Sequence, residues 1–154
     1  DQRPTELRDD VLVYTSTRLM TPLTFAGNVD AKLFVSADTP DADWVVKLID
    51  VHPDGFAQNI AVGLIRGSFR NSEHTSEPLV PKGMYELSVD LGPVAARIDA
   101  GHQIRVDISG AYFPLFDRNP NTARGPLSKV SIKATERVFH RKDAASCIIL
   151  PVKQ

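Results

Sequence analysis

Disulfide bonding within the chain is impossible: its 154 residues include a single cysteine, Cys147. That thiol lies in the apolar run CIIL and reads as a buried one. A lone cysteine makes a reducing compartment, with the cytoplasm as its usual form, the default. Secretion stays compatible with it, because a signal could precede the first residue shown. Long apolar runs are missing too. No stretch approaches the ~18–20 residues that span a bilayer, so no membrane partner is expected. An excess of positive charge is also lacking. Eighteen Lys and Arg meet nineteen Asp and Glu, for a net charge of −1, and no basic cluster offsets this balance. The electrostatic footprint of a nucleic-acid binder is therefore absent.

Catalytic signatures are equally scarce. A hydrolase nucleophile elbow needs G-x-S-x-G between a strand and a helix. Ser68 follows Gly67 directly and Ser109 precedes Gly110, and neither has that spacing. His52, His74, His102 and His140 lie far apart, with no H-x-x-x-H pairing, and each reads as a turn or surface residue. There is no C-x-x-C, no phosphate-cradling loop and no G-x-G-x-x-G. Self-contained catalysis is not expected, and no catalytic residue, cofactor or metal ligand is assigned.

What the sequence does have is period two. In MYELSVDL, Tyr85, Leu87, Val89 and Leu91 share one face, and Glu86, Ser88 and Asp90 the other. HQIRVDIS repeats the pattern with Ile104, Val106 and Ile108. Alternation of this kind marks half-buried strands. Further strands are predicted at 10–16, 22–27, 29–37, 43–51, 59–69, 128–139 and 146–152. Pro93–Ala100 reads as a turn or two of helix, and Asp1–Asp10 as a polar lead-in. His52-Pro53-Asp54-Gly55 has the residues of a type I turn and predicts a hairpin. Roughly nine short strands and no long helical period make the chain one all-β domain, an antiparallel β-sandwich. The immunoglobulin Cys…Trp…Cys pattern is missing, which favours a jelly roll.

Three constellations merit weighing. Asp38, Asp41 and Asp43 offer hard oxygen donors of the kind calcium takes, or else they organise an inter-strand turn. Trp44, the only tryptophan, could serve a sugar platform, but its strand WVVKLI places it in the core. The third is YFPLFDRNPNTARG, residues 112–125. Tyr112, Phe113 and Phe116 stand there beside Asp117, Arg118, Asn119 and Asn121. Asp117 and Asn119 are natural turn formers, and Arg118 suits a bidentate carboxylate contact. The segment is either an ordered loop capping the sandwich or a contact surface for a partner domain or ligand.

In their order, DVLVYTS, PLTFAGNVDAKLFVSAD, DADWVVKLIDVHPDGFA, GHQIRVDISGAYFPLFDRNPNT and the tail ATERVFH…SCIILPV resemble a known family. They are similar to the C-terminal β-domain of the X-prolyl dipeptidyl-peptidase and cocaine-esterase group of serine hydrolases. That resemblance implies a galactose-binding-like jelly roll appended to an α/β-hydrolase domain that lies upstream and holds the Ser, His and Asp of the triad. The chain would then be a non-catalytic module that packs on the hydrolase domain of the same parent chain. It would help to shape the substrate cleft and could also support homo-oligomer contacts. Asp117, Arg118 and Asn119 would organise a turn or meet that domain. The alternative on the same architecture is an independent carbohydrate- or ligand-binding module.

Overall fold

The computed structural model describes residues 1–125 and 127–153. Two antiparallel sheets face each other. The first has the order β1 (Val11–Thr15), β6 (Gln103–Ser109), β3 (Asp43–Val51), β4 (Ala57–Arg66). The second is built on two long strands, β2 (Leu23–Ala37) and β5 (Tyr85–Ile98). The other edge of β2 is shared by β7 (Glu136–Val138) and β10 (Cys147–Ile149). A small ribbon of β8 (His140–Arg141) and β9 (Ala144–Ala145) joins them. The chain passes from one sheet to the other between β1 and β2, β2 and β3, β4 and β5, β5 and β6, and β6 and β7. Strands that change sheet in this way enclose one core. No helix among the described residues is long and apolar enough to cross a membrane.

Alternation builds that core. Trp44, Val46, Leu48 and Ile108 of the first sheet meet Phe25, Val29, Leu33, Val35, Leu87, Val89 and Ile98 of the second, and Leu79 joins them from the β4–β5 connection. Gly63 marks the closest approach of the two sheets. A Cβ placed there would lie 2.2 Å from the Asp90 carbonyl oxygen, so a side chain would force two backbones apart. The His52–Gly55 turn forms as the sequence predicts. The Gly55 N–H donates to the His52 carbonyl at 2.9 Å, and Gly55 sits at φ 87. A type I turn followed by a left-handed glycine is a common way to close a hairpin.

Several expectations are corrected. Pro93–Ala100 is not helical: residues 93–98 continue β5, paired with Leu23–Asn28 of β2. The pairing skips one residue of β5 beside Gly92, which adopts φ 80, and Val94, Ala96 and Ile98 remain directed inward past it. The predicted strands 22–27 and 29–37 likewise merge into β2. Of 128–139, only Glu136–Val138 is strand. Residues 128–135 find no ladder partner among the described residues and are held by scattered bonds, among them Thr135 N–H to Asp38 Oδ1 (2.7 Å) and Ile132 N–H to the Pro120 carbonyl (3.0 Å). Cys147 is exposed, not buried. On the short edge strand β10, Ile148 turns inward while Cys147 and Ile149 turn outward. An apolar run at a sheet edge still has one wet face.

The polar lead-in folds back as well. Its turn of helix, α1 (Arg3–Glu6), covers the outer face of the first sheet, where the Gln2 N–H donates to the Ala57 carbonyl. Every residue of β3 is consequently buried.

Candidate functional site

Residues 112–125 leave β6 and cross the end of the sandwich at which β3 begins. Asp43, the first residue of β3, is the anchor. Both of its oxygens accept from Arg66 of the paired strand β4, through Nε and Nη2 at 2.8 Å each. The Asn119 side-chain amide donates to the same carboxylate at 2.7 Å. Burial would penalise either ion alone, and this bidentate arrangement satisfies both. The Arg66 guanidinium is pushed above its usual range, mainly by its hydrogen bond to Asp43. Asn119 Oδ1 then accepts the Asn121 N–H at 2.8 Å, and the Asn121 amide reaches the Ile132 carbonyl. That side-chain turn holds Asn121 at φ 61, a conformation asparagine tolerates.

Beyond this polar root the segment projects. The Phe113–Pro114 peptide is cis, and Phe113 and Leu115 are each 61% exposed. The Arg118 guanidinium lies over the Phe113 ring, 5.2 Å from its centroid. Phe116 packs obliquely on Tyr112, and the Lys47 ammonium sits 4.0 Å from the centre of the Tyr112 ring. The root is fixed; the tip offers bare apolar surface.

A cleft of about 560 Å³ opens beside the root, between Trp44, Ser109, Arg118, Asn119, Lys133 and Glu136. The Glu136 carboxyl lies against Gly110, where an added Cβ would come within 2.6 Å of it. Burial, with smaller contributions from Asp43, Asp10 and Asp38, pushes this carboxyl up to about 8. At neutral pH it is a protonated acid that can donate a hydrogen bond. The two serines weighed in the sequence are engaged elsewhere. The Ser68 N–H donates to Asp41 and the Ser109 hydroxyl to the Ala111 carbonyl.

The seven residues singled out in the segment do not act alike. Asn119 and Asn121 hold the turn between them, whereas Asp117 contributes its backbone carbonyl to Arg66 at 3.4 Å. The bidentate carboxylate contact expected of Arg118 belongs to Arg66. Asp38, Asp41 and Asp43 turn to three separate sets of partners: the Thr135 N–H, the N–H groups of Ala42 and Ser68, and the Arg66–Asn119 pair. Trp44 is in the core, as its strand predicts.

The histidines are a further correction. His52 and His102 are not isolated, because the fold brings their rings to 4.4 Å, beside Asp50. Sequence reading also missed Arg66, Lys47, Asp107 and Glu136. The one local signal was a charge placed inside an otherwise apolar strand, as Lys47 is in WVVKLI.

Residues 2–149 match the family model described as the X-Pro dipeptidyl-peptidase C-terminal non-catalytic domain. The chain belongs to this family. Cocaine esterase of Rhodococcus sp. (strain MB1 Bresler) is 36% identical over 99% of the chain. The chain also superimposes on an aminopeptidase from a marine-sediment Thaumarchaeota archaeon, with a TM-score of 0.94 and 36% identity over its whole length. A selenomethionine-labelled α-amino acid ester hydrolase gives 0.94 and 35% over 99% of it. The chain spans only about a quarter of these relatives, 27% of each.

Proposed function

We propose that this non-catalytic β-domain docks on an α/β-hydrolase domain of its own polypeptide and helps to wall that domain's substrate cleft. The supporting observation is the contrast within residues 112–121. A cluster of buried Asp43 with the half-buried Arg66 and Asn119 fixes the root, while Phe113 and Leu115 are each 61% exposed, Phe113 touched only on one face by Arg118. Exposed apolar side chains on an ordered segment are what a removed partner leaves behind. The reaction walled in this way would be acyl transfer to water through an acyl-enzyme. Its substrate would be an X-Pro peptide, an amino-acid ester or an amide. The X-Pro and amino-acid ester substrates are those named by the family and by the α-amino acid ester hydrolase that the chain resembles; the acyl-enzyme route and the amide extend the proposal beyond them.

The test is a double variant, Phe113→Ser with Leu115→Ser, made in the polypeptide that joins this chain to its hydrolase. Turnover of p-nitrophenyl esters and X-Pro anilides should fall, and the hydrolase should melt earlier, while the β-domain keeps its own unfolding transition. Unchanged turnover and unchanged melting of the hydrolase would exclude docking through this tip.

A further inference from the structure

We infer that Asp50, His52 and His102 form a binding site for a transition-metal ion of the Zn²⁺ type, at the opposite end of β3 from the Asp43 cluster. The topology explains why three residues so far apart in sequence meet. Asp50 and His52 are two residues apart, so both project to the same side of the strand. β6 pairs with β3 through Asp50↔Ile104 and Val51↔Gln103, and the next position outward sets His102 beside His52. All three point to the inner side of the first sheet, where the core gives way to solvent.

The donors are arranged for an ion. His102 Nδ1 lies 2.8 Å from Asp50 Oδ1, and His52 Nε2 lies 3.7 Å from Asp50 Oδ2. One carboxylate thus faces two imidazoles, one through each oxygen, and the ligating atoms all fall within 4.8 Å of one another. Ligands at ordinary zinc bond lengths on a tetrahedron stand about 3.3 Å apart, between the two separations seen. Reaching that spacing would open the His102–Asp50 contact slightly and draw His52, on its turn, inward. The Gln58 side-chain carbonyl, 3.3 Å from His52 Nε2, or a water would fill the fourth position.

Donor chemistry selects the ion. Two imidazoles and one carboxylate favour zinc and its first-row neighbours over calcium or magnesium, which take oxygen cages. Arg97 lines the same cleft as Asp50, but its guanidinium is engaged by Asp99 at 2.9 Å. A metal held here would tie the β3–β4 turn to the start of β6.

The test is calorimetric titration of the protein with Zn²⁺ at pH 7.5, together with the visible spectrum of its Co²⁺ form. One ion should bind in the micromolar range or tighter, and Co²⁺ should show the intense absorption of a four-coordinate site. His52→Gln, His102→Gln and Asp50→Asn should each weaken binding by at least about tenfold. His140→Gln and Cys147→Ser, which change metal-binding side chains elsewhere, should leave it unaltered. Circular-dichroism melting checks each variant. His52 sits on an exposed turn, so its variant decides the matter even if His102→Gln fails to fold. No Zn²⁺ binding tighter than millimolar, or binding that survives His52→Gln undiminished, would overturn the site.

Discussion

Two polar groups on the outer face of β3, only four residues apart, are buried in opposite ways. At Asp43 both oxygens are answered: Arg66 and Asn119 supply three donors to one carboxylate. Around Lys47 the accounting fails. Its cross-strand neighbour Asp107 is 2% exposed, and neither carboxylate oxygen has a hydrogen-bond partner among the described residues. Burial, reinforced by Glu6, pushes Asp107 up to about 6 against the pull of Lys47 and Arg105. Lys47 is held below its usual range by burial, and it bonds Gln2 and the Tyr112 ring rather than Asp107. The first cluster fixes a loop. The second makes the seal between α1 and the sheet sensitive to pH, because its charges are desolvated and not fully repaid.

The comparison can be broken most sharply at Asp43. Asp43→Ala strands a half-buried guanidinium and releases Asn119, and should cost about 2–4 kcal/mol in urea unfolding. A cost near zero would mean that the cluster only decorates the loop.

Glu136→Gln and Asp107→Asn should act with the opposite sign. A carboxyl raised in the folded state holds its proton after the unfolded chain has lost it, so stability falls as pH climbs through that interval. For Glu136 the interval runs from 4.5 to about 8, and for Asp107 from 3.8 to about 6. Glu136→Gln should stabilise the protein by about 2–3 kcal/mol at pH 8, and Asp107→Asn by about 1–2 kcal/mol at pH 7. Neither should stabilise it at pH 3.5, where both carboxyls are protonated in either state. Melting curves across pH 3.5–8.5 provide the measurement, and a wild-type stability that rises between pH 5 and 8 would contradict both.

Asn119→Ala removes one hydrogen bond to a charged group, so about 1–2 kcal/mol should be lost. Phe113→Ser, at the exposed tip, should change the stability of the β-domain by under about 0.5 kcal/mol. A larger loss would show that the tip is held by its own domain and is not free for a partner.

Much of the architecture was legible because alternation is local. Leu87, Val89, Ile104 and Val106 announce their faces within a few residues, and the His52–Gly55 turn carries its own chemistry. Pro93–Ala100 misled because Gly92-Pro93 reads as a boundary, although Val94, Ala96 and Ile98 keep the strand period. Residues 128–135 alternate as a strand should, yet a ladder needs a neighbour and the fold provides none there. Cys147 misled because hydrophobicity does not say which strand lies at an edge.

The candidate site was legible only in outline. Asn119 and Asn121 signal a turn by themselves, but nothing local links Asp43 to Arg66 or Asn119. Likewise His52 and His102 meet only because β3 pairs with β6. Residues joined by register, not by spacing, stay invisible until the strands are ordered.

The skipped residue beside Gly92 has a consequence for insertions and deletions. Upstream of it, β5 places its buried side chains at odd positions; downstream, at even ones. The strand is thus written in two reading frames, joined at a single glycine. Substitution at Pro93, Ala95 or Arg97 changes one exposed side chain, whereas deleting Gly92 removes the extra residue and would join the two frames into one continuous alternation, with Val94, Ala96 and Ile98 still inward. In this stretch the number of residues sets the offset, and their identity sets the two faces.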